Sequence, residues 1–289
     1  FLDLKASVHL LKEEDVEQVK GDVALATEWR SAYFVRSMTK VKKRFYFVQD
    51  YEADFFPKGT EYFLAQNTLD FGFNCITAGS WLRSVLESRG LKNVHHFDLA
   101  YDPENYFNTD TDDRSGNRIA FYCRSATPRR LTEMGFLALQ LLARKRSDFR
   151  VEIFGENLAR TDMPFDCKCH GILSAKELGE LYRRATIGIV FSSTNYSLIP
   201  QEMMACGLPV VEMDGENTRQ SFPLGSVHLS PPNPESIAAA LSQLLDDPER
   251  RKKQVETALA HMQTLSWEHS ARQVERSLQK AFAEAEQTA

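Results

Sequence analysis

The chain has 289 residues, with 35 Lys and Arg against 40 Asp and Glu, a formal net charge of -5 and 43% hydrophobic residues. That length allows two domains of ordinary size, and the charge balance gives no reason to expect a nucleic-acid partner. No apolar run approaches the roughly 18 residues needed to cross a bilayer, so the composition is that of a soluble globular protein.

The first residue is Phe1, and no secretory signal pattern follows it. The expectation is a piece of a longer polypeptide. Five scattered cysteines, Cys75, Cys123, Cys167, Cys169 and Cys206, argue for reduced thiols in the cytoplasm. Cys167-Lys168-Cys169-His170 lacks a second ligand pair for a tetrahedral metal site. It reads as a strand with alternate side chains buried, and no metal is expected.

Residues 22–26 read as a short buried strand, and Thr27 is placed to cap a helix through Arg36. Residues 44–48 form a second strand, ending in the polar cluster Gln49-Asp50-Tyr51-Glu52. Pro57, Lys58 and Gly59 punctuate a loop, and a helix is expected over 60–69. Residues 74–77 are a third strand. Ser80 starts a helix that Gly90 stops. Residues 94–97 are a fourth strand, in which His95 and His96 read as strand-end packing. Strands alternating with helices imply a parallel sheet. The polar, acidic stretch YFNTDTDDRSGNR, residues 106–118, has no periodicity and reads as an interdomain linker.

The alternation then restarts. A strand is predicted over 119–123. Thr127-Pro128 opens a helix, with Thr as N-cap and Pro at the first helical position. Leu131, Met134, Leu137, Leu141 and Leu142 fall on its one apolar face. Strands follow over 149–154 and 167–172, and Ser174 caps a helix to Arg184. Residues 186–191 are a continuously apolar, central strand. A short helix carrying Glu202 and a strand over 208–212 come next, then a strand over 226–229. Helices over 234–245, 248–265 and 267–284 close the chain.

In open α/β sheets, ligands bind outside the carboxyl ends of the strands. Three polar groups follow strands there. Arg124 directly follows the 119–123 strand, with Arg129 and Arg130 in the first turn of the next helix. Cations there oppose the helix dipole, and a bound diphosphate would relieve that cost. The loop Ser192-Ser193-Thr194-Asn195-Tyr196-Ser197 offers hydroxyls and N–H groups at a second helix start. Glu202 can accept two hydrogen bonds from a vicinal diol. Gln49, Asp50 and Glu52 are the matching candidates after a first-domain strand. No G-x-G-x-x-G or G-x-x-x-x-G-K-[ST] pattern occurs, which argues against a dinucleotide enzyme or a P-loop ATPase.

These residues carry a resemblance. PQEMMACGLPVVEMDG resembles the nucleotide-sugar motif of GT-B glycosyltransferases of family 4. IAFYCRSATPRRLTEMGFLAL, GILSAKELGELYRRATIGIVFSS, LSPPNPESIAAALSQLLDDPERRKK and LSWEHSA resemble the rest of that family's donor domain. ATEWRSAYFV and YFVQDYEADFFPKG resemble the rhamnosyltransferase-type branch used in bacterial surface polysaccharide assembly. The resemblance covers nearly the whole chain.

It implies a GT-B-like α/β fold, with two Rossmann-like domains facing a cleft. Their expected limits are 1–107 for a shortened acceptor-side domain, 108–118 for the linker and 119–265 for the donor domain. A helix over 266–289 would return toward the first domain. It implies that Glu202 binds the nucleotide ribose and Arg124 the diphosphate, with Arg129 or Arg130 as the second basic group. Gly171, Ile172 and Leu173 would face the base, and Tyr196, Ser197 and Leu198 the phosphates and sugar. The family's further glutamate, eight residues before Glu202, is Thr194 here. Thr194 or Asn195 would then serve a sugar with fewer or differently placed hydroxyls, such as a 6-deoxyhexose.

The expected reaction is retaining, metal-independent glycosyl transfer without a cofactor, from a nucleoside-diphosphate sugar such as dTDP-L-rhamnose to a glycan acceptor. Further glycosyltransferase domains of the same polypeptide are expected partners. The expected location is the cytoplasm, with peripheral attachment at the inner membrane through surface basic residues. The loss of the first glutamate keeps a second expectation open: a degenerate, non-catalytic GT-B module that binds nucleotide or a partner enzyme.

Overall fold

The structure, a computed structural model, describes residues 5–109, 114, 116–158 and 163–286. The chain divides into two compact units. One comprises 1–78, 83–96 and 274–289, the other 79–82 and 97–273.

The first unit is built on a four-stranded sheet of order β1-β2-β3-β4. Its strands are β1 (Lys20–Ala26), β2 (Lys40–Val48), β3 (Asn74–Ala78) and β4 (Val94–Phe97), and helices α1 (Trp29–Ser37), α2 (Thr60–Asn67) and α3 (Ser80–Ser88) connect them. The pairs β1–β2 and β2–β3 are parallel, as helical crossovers require. The cap of α1 is Glu28 rather than the expected Thr27. The Glu28 carboxylate accepts from Ser31 N–H while the Ser31 hydroxyl accepts from Glu28 N–H, a reciprocal capping box.

The second unit carries a six-stranded sheet of order β10-β9-β8-β5-β6-β7. Its strands are β5 (Arg118–Tyr122), β6 (Arg150–Phe154), β7 (Asp166–Cys169), β8 (Ile187–Ile189), β9 (Val210–Met213) and β10 (His228–Ser230). The helices are α4 (Thr132–Ala143), α5 (Ala175–Arg184), α6 (Leu198–Ala205), α7 (Glu216–Ser221), α8 (Pro234–Asp246) and α9 (Pro248–Met262), and α10 (Trp267–Glu286) ends the chain. All the pairings in this sheet are parallel. One core cluster joins the sheet to α4 and α8 through residues such as Phe121, Leu139 and Leu241. The other joins it to α5, α6 and α9 through Tyr182, Met203 and Met262. Both faces are therefore covered, which is why β8 and its neighbours read as unbroken apolar runs. Chain order runs outward in both directions from β5. The gap between β5 and β8 is thus the topological switch point, where this class of sheet opens to ligands.

Four local readings are corrected. Residues 128–130 form a separate 3-10 turn with no side-chain cap from Thr127, and Leu131 (φ 47°) reverses the chain before α4 begins at Thr132. Arg129 and Arg130 therefore lie outside the α-helix, and its dipole does not act against them as expected. The apolar face of α4 is also shifted. Ala138, Leu139 and Leu142 are buried with Met134 and Leu141 packed beside them, while Leu137 is 51% exposed. Strand β7 is an edge strand, so Cys169 is exposed and Cys167 only half-buried. Last, α7 was not foreseen.

Of the expected linker, residues 110–113 and 115 lie outside the described residues, as do 1–4 and 287–289 of the expected terminal segments. The second unit takes in 79–82 and runs on from Phe97, whereas the expected first domain ran to 107. Tyr106 shows why: its ring stacks on Tyr182 with centroids 6.0 Å apart.

Candidate functional site

The site is assembled at the carboxyl ends of β5, β6, β8 and β9, all within the second unit. The loop after β5 begins with Arg124, whose side chain is exposed. Its own N–H donates to Thr132 Oγ1 at 3.0 Å, which ties the loop to the start of α4. Beside it, Glu156 follows β6 and accepts from Ser125 N–H at 2.7 Å, Ser125 Oγ at 2.5 Å and Cys123 Sγ at 3.0 Å. Burial opposes charge on Glu156, but these donors hold its carboxyl below its ordinary range. Cys123 moves the other way, pushed up to about 12 by burial and by Glu156. It is a packed thiol and no nucleophile.

Across the switch point, the 3-10 turn after β5 meets the loop after β8. The Arg129 carbonyl accepts from Ser193 N–H at 3.1 Å and from Ser193 Oγ at 3.2 Å. Arg130 Nη1 donates to Ser192 Oγ at 2.8 Å. The Arg130 side chain, the Arg129 backbone, a run of hydroxyl groups and the start of α6 are thereby brought together. Such a cluster offers charge-assisted donors to an anion.

The loop itself is firmly held. Ser192, Thr194, Asn195 and Tyr196 are buried. Asn217 on α7 donates from Nδ2 to the carbonyls of Ser192 and Thr194 at 2.7 and 2.5 Å. Ser192 N–H donates to Glu212 at 2.9 Å. Neither Asn217 nor Glu212 was anticipated. The signal for Glu212 was present in the sequence, as a lone acid inside the apolar run Val210-Val211-Glu212-Met213. Ser197 stands at the N-cap of α6 without a side-chain cap, and its buried Oγ has no hydrogen-bond partner among the described residues.

One turn into α6, Glu202 is half-buried and hydrogen-bonded to the Tyr106 side chain. Burial pushes its carboxyl up to about 7, against the pull of Tyr106 and with help from nearby Asp102. Over β6 and β7, Gly155 N–H donates to the Gly171 carbonyl at 2.9 Å. Gly171 (φ +70°) makes the turn, which leaves the Ile172 side chain 76% exposed beyond the strand end. Leu173 is half-buried beneath it. An exposed apolar side chain next to a backbone turn suits the flat face of a base.

The first-domain candidates make contacts within their own unit. Glu52 Oε2 accepts from Trp29 N–H at 2.6 Å and from the Tyr46 hydroxyl at 2.8 Å. Gln49 Nε2 donates to the Thr27 carbonyl at 3.0 Å, and buried Asp50 accepts from Tyr51 N–H at 2.8 Å. They brace the start of α1 against the end of β2. His170 is turned to Glu152, at 2.6 Å, and among the described residues no three of His, Cys, Asp and Glu group as metal ligands do.

Several known proteins are similar to this chain. A family model for the C-terminal domain of WsaF matches residues 117–242. The O-antigen biosynthesis protein RfbC of Myxococcus xanthus is 32% identical over 285 residues, covering 93% of this chain and 22% of that protein. The chain thus spans about a fifth of that relative's length. Among solved structures, sucrose-phosphate synthase from Thermosynechococcus elongatus is similar, with a TM-score of 0.71 at 16% identity over 91% of this chain and 74% of that one. Anabaena HepE, solved in complex with UDP and glucose, gives a TM-score of 0.73 at 13% identity over 89% of this chain and 77% of that one. The α/β, parallel-sheet fold of this chain is that of the GT-B glycosyltransferases.

Proposed function

We propose that this chain carries out glycosyl transfer in the assembly of a bacterial surface glycan, taking the sugar from a nucleoside-diphosphate donor bound in its second unit. The observation that carries this is the joining of Arg129 and Arg130 to Ser192 and Ser193 across the β5–β8 switch point, with Glu202 on the helix that follows. In this reading the base lies over Ile172 beside Gly171 and Leu173. Glu202 accepts from the ribose hydroxyls. The diphosphate meets Arg124, Arg129 and Arg130, with Tyr196, Ser197 and Leu198 at the start of α6.

As the glycosidic bond breaks, negative charge grows on the leaving diphosphate. Guanidinium groups and N–H donors fixed in place stabilise it without reorganisation. That supports metal-independent transfer without a cofactor. Transfer with retention needs no protein nucleophile, and Cys123 is held as a neutral thiol. Buried Thr194, where the resembled family has a sugar-contacting glutamate, favours a deoxyhexose, with dTDP-L-rhamnose the first donor to test. The likeness to an O-antigen biosynthesis protein over 93% of the chain supports a glycan acceptor and a cytoplasmic, inner-membrane setting. No helix among the described residues is long and apolar enough to cross a membrane.

The test is release of free nucleoside diphosphate from a panel of sugar donors, with and without a surface-glycan acceptor. Acceptor-dependent release with one donor, lost in Arg130→Ala, is expected. The burial of Thr194 also favours a second reading, a nucleotide-binding module without turnover. Nucleotide binding with no release from any donor would select it.

A further inference from the structure

Glu212 lies near the end of β9 with no solvent exposure (0%). One carboxyl oxygen, Oε1, accepts from the N–H groups of Ser192 and Met213, both at 2.9 Å. The other, Oε2, has no hydrogen-bond partner among the described residues. Burying a carboxyl with one oxygen unsatisfied is costly, and packing alone would favour an apolar side chain here. The clue to its use is what it holds. Ser192 is gripped at its N–H by Glu212, at its hydroxyl by Arg130 Nη1 (2.8 Å) and at its carbonyl by Asn217 (2.7 Å).

We infer that Glu212 is a positioning residue for the donor site: its buried carboxyl fixes the 192–197 loop and, through Ser192, the Arg130 guanidinium that meets the diphosphate. This rests on the donor-site reading above.

The proton on that carboxyl matters as much as its place. Burial pushes Glu212 up to about 8, although the Met213 and Ser192 donors and the Arg130 charge pull it down. Near pH 7 it is mostly neutral and does not draw on the Arg130 charge. Above pH 8 it becomes a carboxylate that competes with a diphosphate for that charge. Its surroundings do not blur this. Arg130 is the charged group that acts on it. Asp214, just past the end of β9, is paired with Arg219 at 2.6 Å. His228 on β10 is lowered from its ordinary 6.5 by burial and by Arg250, so it is neutral throughout. Asn217 and Thr218 on α7 do not titrate. Glu202 titrates lower, at about 7.

The experiment titrates UDP, GDP and dTDP into the wild-type chain, Glu212→Gln and Glu212→Ala, at pH 7.2 and pH 9.0. Glu212→Gln copies the neutral acid and keeps an acceptor for Ser192 and Met213. It is expected to bind the preferred nucleotide as the wild type does at pH 7.2, and several-fold, up to about ten-fold, more tightly at pH 9.0, where only the wild type carries the opposing charge. A residue that merely stabilised the fold would not produce that pH-dependent difference. Glu212→Ala is expected to bind more weakly at both values and, without ligand, to exchange its 192–197 amides faster. Wild type and Glu212→Gln binding equally at pH 9.0 would overturn the inference alone. No binding by the wild type at either pH would overturn the donor-site reading, and the inference with it.

Discussion

Half-buried Glu202 and fully buried Glu212 both have raised pKa values, and both set stability against function. Glu202 goes from its ordinary 4.5 to about 7, mainly through burial. The folded state therefore holds this proton more tightly than the unfolded chain. Its contribution to stability falls as pH rises from about 4.5 to about 7 and stays lost above that. Binding a ribose diol needs the carboxylate, so nucleotide affinity runs the other way, rising through pH 7. Glu202→Gln should melt higher than the wild type at pH 8 without ligand, yet lose most of the shift a nucleotide gives. An unchanged ligand-free melting temperature at pH 8 would contradict the burial argument. Arg130→Lys keeps the charge but loses the planar fork. It should weaken nucleotide binding by about 1.5–3 kcal/mol, the range for charge-assisted hydrogen bonds, as read by calorimetric titration. At this scale the sequence was partly legible. Arg124 and Glu202 stand next to strand ends and turns, where a polar residue calls for explanation. Glu212 was missed although its signal, a lone acid in an apolar run, is visible, because one acid in a four-residue strand also looks like ordinary alternation.

At the scale of elements, α4 shows how packing decides what periodicity suggests. Gly135 lies against the Phe121 ring so closely that an added Cβ would collide with it. Gly135→Ala should therefore cost about 1–3 kcal/mol, as overpacking does, despite alanine's better helix propensity. Leu137→Ala on the exposed side should change stability by no more than about 0.5 kcal/mol. Urea midpoints for the two variants check both, and a large loss at Leu137 would favour the stripe first read from the sequence. Ser174 and Glu177 form a reciprocal capping box at the start of α5, with Glu177 also accepting from Ser174 Oγ at 2.6 Å. Ser174→Ala should cost about 1 kcal/mol in the same measurement. The Ser174 cap was legible because a serine ahead of an amphipathic run is a ready N-cap; the reciprocal bond from Glu177 was not read. The 3-10 turn before α4 was not legible. Thr-Pro followed by good helix formers promises a helix, and nothing local announces that Leu131 takes a left-handed conformation. Contacts distant in sequence, to Ser192 and Ser193, hold the turn.

For the whole molecule, alternation of strands and helices was enough to foresee two parallel α/β units. The border between them was less legible. The segment before residue 107 looks like loop until Tyr106 is seen stacked on Tyr182 and bonded to Glu202. Every residue assigned to the donor belongs to the second unit. A bound nucleotide should therefore slow amide exchange at 124–132, 171–173 and 192–202, and leave β1 and β2 unchanged. The most direct measurement is a thermal-shift comparison of UDP, GDP, dTDP, ADP and CMP on the wild-type chain and on Glu202→Ala. A ligand at 100 times its Kd adds about 2.7 kcal/mol, several degrees in Tm for a chain of this size. One nucleoside diphosphate raising the Tm of the wild type and not of Glu202→Ala is the predicted result. No shift with any of the five, or an equal shift in the variant, would contradict a donor site built around α6.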